Sequence, residues 1–135
     1  MRARDALGRP VRADAPDAVE PVGEEALPPL EALACARALV AAGRAFSAHE
    51  VLEASWKAAE VDERDLWQGL AQVCVGLTHL QRGNATGAAR LLRRGAGRLQ
   101  AQPARHGVLP GRVAADAVLL AAAVEAGAAA GSITF

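Results

Sequence analysis

The sequence predicts an all-α fold, a compact bundle of about five helices, and three observations predict it. Hydrophobic residues make up 52% of the 135, with two Phe, two Trp and no Tyr. They are largely Ala, Leu and Val, small side chains that suit closely packed helices. Apolar residues recur at helical spacing between Pro and Gly punctuation. Alternation of β-branched and aromatic residues is nowhere sustained, so strands are not expected. One domain is expected at this length, and such a chain buries about 68% of its unfolded surface.

Residues 1–26 mix Arg, Asp, Glu and Pro with few large apolar groups, a composition expected to form a flexible arm ahead of a helical domain at 27–130. Pro28 and Pro29 suit the start of a first helix, which runs to about Ala42 and stops at Gly43. Leu30, Leu33, Ala36 and Val40 mark its period. Ser47 is a good N-cap for the second helix, with Glu50 three residues on completing a capping box. That helix ends near Glu60, before a charged turn. Asp65 can cap the third helix, Leu66–Gln81, which contains no Asp, Glu, Lys or Arg and so belongs at the centre of the bundle. The short connection makes 47–60 and 65–82 a central antiparallel pair. Gly83 can take a left-handed turn and Asn84 can cap a fourth helix, Ala85 to about Ala101. Arg90, Arg94 and Arg98 are expected on its solvated outer stripe. Gln102–Gly111 reads as a loop, where His106 carries no expected role. A fifth helix spans about Arg112 to Ala129, and 131–135 is a tail.

Lys+Arg and Asp+Glu both number 15, so no global field favours nucleic acid or an anionic membrane surface. The longest uncharged run is too short and too polar to span a bilayer. No signal peptide is expected, since Asp5 and Asp14 interrupt the N-terminus. Cys35 and Cys74 lie in apolar helical runs without metal-ligand spacing. They are expected to be reduced thiols of a cytoplasmic protein.

The stretch Phe46–Trp56, FSAHEVLEASW, concentrates the chemistry. At 3.6 residues per turn His49, Glu53, Phe46 and Trp56 share an apolar stripe, with Glu50 at its margin. On the third helix Gln68, Gln72 and His79 share an arc beside small residues. Antiparallel pairing brings the level of His49 near that of His79, so a polar site shared by the two helices is expected. Three readings of it compete. It is a hydrogen-bond network that fixes packing; or a divalent-metal site of His49, His79 and either Glu53 or Glu50; or an acid–base or ligand site lined by Trp56. The first ranks ahead, because polar clusters inside bundles are more often structural than catalytic. It makes the chain an interaction or scaffold module without a cofactor, whose partner is another protein or a second copy. The alternative is a small hydrolase-like enzyme using His49, Glu53 and His79. HExxE differs from the zinc-protease HExxH, and repeated ExxH pairs of di-iron bundles are absent.

Phe46, His49, Glu50, Glu53 and Trp56, then Gln68, Gly69, Leu70, Gln72 and His79, then Gly83, Asn84, Gly87, Ala88, Leu91 and Leu92 occur in an order and spacing that resembles the family called domain of unknown function 309. The resemblance covers about Leu30 to Leu99. It implies a small all-helical bundle of a kind found mainly in bacteria and archaea. It implies no reaction, since no activity is established for that family as a class.

Overall fold

Proline and glycine set most of the helix boundaries. The computed structural model describes residues 3–135, in which five helices form: α1 (Pro29–Ala41), α2 (Ala45–Ala58), α3 (Arg64–Gln81), α4 (Ala85–Leu99) and α5 (Pro110–Glu125). Pro29 and Pro110 occupy first-turn positions of α1 and α5, where their missing N–H has no intrahelical acceptor to lose. Gly43 and Gly83 end α1 and α3 with φ of +75° and +78°, the left-handed conformation that only glycine adopts without penalty.

Each helix packs on the next, α1 on α2, α2 on α3, α3 on α4 and α4 on α5. α3 holds the centre, with Leu66, Leu70, Val73 and Cys74 fully enclosed. Leu33, Leu52, Leu92 and Leu99 meet them from the neighbouring helices. Gln81 donates through Nε2 to the Gly43 carbonyl at 3.0 Å, so the end of α3 lies beside the start of α2 and the pair is antiparallel.

The contact between α3 and α4 is unusually close because glycine lines both sides. A Cβ at Gly69 would stand 2.7 Å from Leu99 Cγ, one at Gly76 2.8 Å from Leu92 Cγ, and one at Gly95 2.8 Å from the Gly69 carbonyl oxygen. The backbones therefore approach to a distance that no larger residue permits.

Several local expectations are corrected. Arg44, not Ser47, is the N-cap of α2, and it makes no side-chain cap bond. The helix begins directly after Gly43, which puts Ser47 inside the first turn. Its buried hydroxyl accepts from Arg44 Nη2 at 3.0 Å. The capping box with Glu50 does not form. A 3-10 turn over Val61–Glu63 leads into α3, so Asp65 is already helical and instead accepts from Arg98 Nη1 at 2.9 Å. Arg98 thereby leaves the expected solvated stripe. Asn84 does cap α4, its Oδ1 accepting from Gly87 N at 3.0 Å.

The terminal segments carry more structure than their composition suggests. β1 (Ala3–Arg4) and β2 (Pro10–Val11) pair antiparallel; residues 1 and 2 of the expected arm lie outside the described residues. The connection is held by Asp5, whose Oδ1 accepts from the backbone N–H of Leu7 and Arg9 at 3.0 and 2.9 Å. Its Oδ2 accepts from Arg9 Nε at 2.8 Å. A single Asx-type carboxylate can organise such a turn with little apolar burial. At the other end Ile133 and Phe135 are buried in the core, where Phe135 stacks under the Arg37 guanidinium.

Candidate functional site

The helical register of α2 puts Phe46, His49, Glu53 and Lys57 along one flank, each three or four residues from the last. His49 Nε2 meets Glu53 Oε2 at 2.8 Å, and Lys57 Nζ meets Glu53 Oε1 at 3.1 Å. The carboxylate only accepts, so Nε2 carries the hydrogen of that bond. Nδ1 lies 3.3 Å from the Phe46 carbonyl oxygen, and the imidazole stands edge-on to the Phe46 ring at 5.3 Å.

Phe46 also anchors the N-terminal hairpin. Gly8, at φ +78°, lies flat against the phenyl ring, where a side chain would collide with it. The Arg4 and Arg82 guanidinium carbons lie 4.9 and 5.9 Å from the ring centroid, within cation–π range. Arg82 Nε donates to the Leu7 carbonyl at 2.8 Å.

Beyond the hairpin the chain passes alongside α2 and encloses a cleft of about 480 Å³. Val22, Gly23 and Glu24 form one wall; Glu50, Glu53, Ala54 and Lys57 form the other. The two α2 carboxylates differ. Burial pushes Glu53 up, but hydrogen bonds and charge from Lys57 and His49 outweigh it and hold the group below the usual carboxylate range. Burial pushes Glu50 above that range, with His49 and Arg4 only partly offsetting it. Glu50 is half-buried, and its carboxylate accepts no hydrogen bond among the described residues. Trp56 is half-buried and packs against the core, and it is not among the residues that line the cleft.

The expected union of α2 and α3 polar residues does not occur. Gln72 accepts from Arg98 Nε of α4 at 3.1 Å, and His79 Nδ1 meets Asn84 Nδ2 at 3.1 Å. Gln68 lies half-buried on the same flank. The small residues beside this arc admit α4, not α2, and the polar tips accordingly border the α3–α4 seam. His49 and His79 thus belong to separate groups. Among the described residues no three His, Cys, Asp or Glu side chains stand close enough to hold one metal ion, so the ligand set His49, Glu53 and His79 is not assembled.

A group that sequence reasoning missed lies at the opposite end of α2 and α3. His106 Nε2 meets Glu63 Oε1 at 2.6 Å, and the same oxygen accepts from Trp67 Nε1 at 3.4 Å. Arg105 Nη1 approaches Glu63 Oε2 at 3.5 Å. His106 and Gly107 both have positive φ, 54° and 78°, and Arg105 and Val108 exchange both backbone hydrogen bonds around them. That is the two-residue turn for which X-Gly dipeptides are suited, and it was the available signal. Glu63 is held below the usual carboxylate range, chiefly by the His106 hydrogen bond.

Residues 33–91 match the family model described as Domain of unknown function (DUF309), the family that the motif order resembles. The matched stretch contains Phe46, His49, Glu50, Glu53, Trp56 and the α3–α4 seam as far as Leu91. No curated protein and no solved structure matches the chain. No helix among the described residues is long and apolar enough to cross a membrane.

Proposed function

We propose, taking residues 33–91 as a domain of the DUF309 family, that the chain is a helical binding module whose ligand site is the cleft between α2 and residues 22–24. One observation carries this reading: Glu50 is a half-buried carboxylate in a cleft wall with no hydrogen-bond donor among the described residues. Withdrawing such a group from water without a partner opposes folding, and a ligand N–H or ammonium supplies what is missing. With the capping box absent, Glu50 has no local structural task. Glu24 adds an acceptor on the same cleft, while Glu53 is already held by His49 and Lys57. The ligand class is therefore a cationic or N–H-rich group on a small molecule or a partner protein. An exposed apolar strip on α5, with Val118 and Leu119, offers a second copy or a partner protein a separate contact. A cytoplasmic setting suits the two free thiols.

The test is a set of amide NMR spectra recorded with butylamine, butanol and butyrate at matched ionic strength. The amine alone is expected to move the resonances of Gly23, Glu50 and Ala54 saturably, and Glu50→Gln to abolish the effect. Equal responses to all three compounds, or an unchanged response in the variant, would overturn the assignment.

A second reading, an acid–base enzyme, is favoured by the opposed displacement of Glu50 and Glu53 on one cleft, the pattern of a proton donor beside a proton acceptor. In it Glu50 is the acid, Glu53 the base, and His49 the positioning residue; His79 takes no part. Turnover of chromogenic esters or glycosides that disappears in both Glu50→Gln and Glu53→Gln would select this reading over simple binding.

A further inference from the structure

Zero net charge conceals a segregated chain. No Asp or Glu occurs from Leu66 to Ala115, whereas seven arginines lie from Arg82 to Arg112. Three of the seven find carboxylates: Arg93 on Glu125, Arg98 on Asp65, and Arg105 on Asp62 and Glu63. Arg82, Arg90, Arg94 and Arg112 have no carboxylate within ion-pair distance among the described residues, and the charges of Arg82 and Arg90 reach one imidazole, that of His79. Gly87 packs against His79, its missing Cβ only 2.9 Å from Nδ1. Arg90 and Arg94, three and seven residues further on, follow Gly87 along the same flank of α4. Arg82 follows His79 by three residues at the end of α3.

The helix cap determines what His79 presents. Asn84 Oδ1 is occupied by Gly87 N–H, so the amide turns its Nδ2 toward His79 Nδ1 and donates to it. Nδ1 is therefore the acceptor nitrogen, and the ring hydrogen resides on Nε2. That N–H has no partner among the described residues. Burial, then the charges of Arg82 and Arg90, hold His79 below the usual imidazole range, so the ring remains a neutral donor near pH 7.

We infer that this flank of the α3–α4 seam binds a phosphate-class oxyanion, with the His79 Nε2–H and the Arg90 and Arg94 guanidiniums as donors and Arg82 closing the end nearest α2. Guanidiniums offer forked donors that match the several acceptor oxygens of a phosphate. The anion also relieves the mutual repulsion of cations that the fold leaves uncompensated. The same small residues that bring α4 against α3 thereby bring Arg90 within reach of the imidazole. This site is separate from the α2 cleft and takes a ligand of opposite charge.

The chain has three histidines, so their ring Cε1–H resonances provide three separate reporters. Titration with inorganic phosphate, against sodium chloride at equal ionic strength, is expected to shift His79 saturably with a dissociation constant on the order of millimolar, leaving His49 and His106 in place. Arg90→Ala/Arg94→Ala, both exposed positions, is expected to weaken binding about tenfold or more, with an unchanged circular dichroism spectrum. Glycerol 3-phosphate and acetate complete the series: the ester is expected to bind at least as tightly as phosphate, acetate more weakly. An unsaturable His79 shift, equal shifts of all three histidines, acetate matching phosphate, or full affinity in the folded double variant would each overturn the inference.

Discussion

Two glycines of α4, two positions apart, are expected to respond to the same substitution with opposite sign. Gly97 faces open space, with nothing within 4 Å of where a Cβ would stand. Alanine there removes unfolded-chain freedom and the glycine helix penalty, so Gly97→Ala is expected to stabilise by about 0.5–1 kcal/mol. Gly95 gains the same propensity term but meets α3. Its Cβ would stand 2.8 Å from the Gly69 carbonyl oxygen, 2.8 Å from Val73 Cγ2 and 3.1 Å from Val73 N. Two of these three are backbone atoms of a central helix, which cannot move aside as a side-chain tip can. Overpacking of this kind costs roughly 1–3 kcal/mol, and backbone opposition argues for the upper end. With about 1 kcal/mol of propensity returned, Gly95→Ala is expected to destabilise by roughly 2 kcal/mol. At roughly 3–4 °C per kcal/mol for a chain of this size, the two variants should melt about 10 °C apart. Thermal unfolding followed at 222 nm, with urea unfolding as a second measure, reads the difference directly. Gly95→Ala melting at or above the unsubstituted protein would refute the close α3–α4 approach, and with it the reason the α3 polar arc borders α4.

Three further outcomes follow from the ionisable groups. Glu50 has its folded pKa raised above the reference of 4.5, so the folded state binds its proton more tightly and stability is lost as pH rises through that window; Glu50→Gln is expected to raise the melting temperature at pH 7, by no more than about 2 °C because the group is only half withdrawn from water. Glu63 has the opposite sign: its folded pKa is lowered from 4.5, so its contribution is complete above that value and fades as pH falls toward the folded pKa. His106→Asn removes the leading cause, and the midpoint of acid unfolding is expected at a higher pH; an unchanged midpoint would break the link. Cys74 is buried and its thiol is pushed up to about 12, whereas Cys35 is only partly covered. A disulfide reagent at pH 8 should titrate one thiol in the native protein and a second only after unfolding.

The α-helical class, the number of helices and the Asn84 cap were legible because each rests on local rules. Leu66–Gln81 read as central because it lacks charge, and α3 is central. What was not legible is which neighbour occupies a given side of a helix. Periodicity sets the angle of Gln72 and His79 around α3, and it flagged the small residues beside them. It does not say that α4, through Gly69, Gly76 and Gly95, fills that angle in place of α2. Ser47 has the chemistry of an N-cap, but Gly43 releases the chain early and the helix starts ahead of it. The hairpin at the N-terminus depends on one carboxylate, Asp5, and leaves no trace in mean composition. His106 acts from a turn, where no periodic pattern marks a residue. Within the candidate site, Phe46, His49, Glu53 and Trp56 share a stripe of α2 that is only half-buried rather than turned into the core, while His79 pairs with Asn84 and Gln72 with Arg98.

The separation of those two groups is tested most directly by a double-mutant cycle on His49→Ala and His79→Ala, measured by urea unfolding. Imidazoles that share no partner should give additive effects, with a coupling energy below about 0.5 kcal/mol, whereas the His49→Ala and Glu53→Ala cycle should exceed that value. Coupling of about 1 kcal/mol or more between positions 49 and 79 would contradict two independent polar sites and restore a single one between α2 and α3.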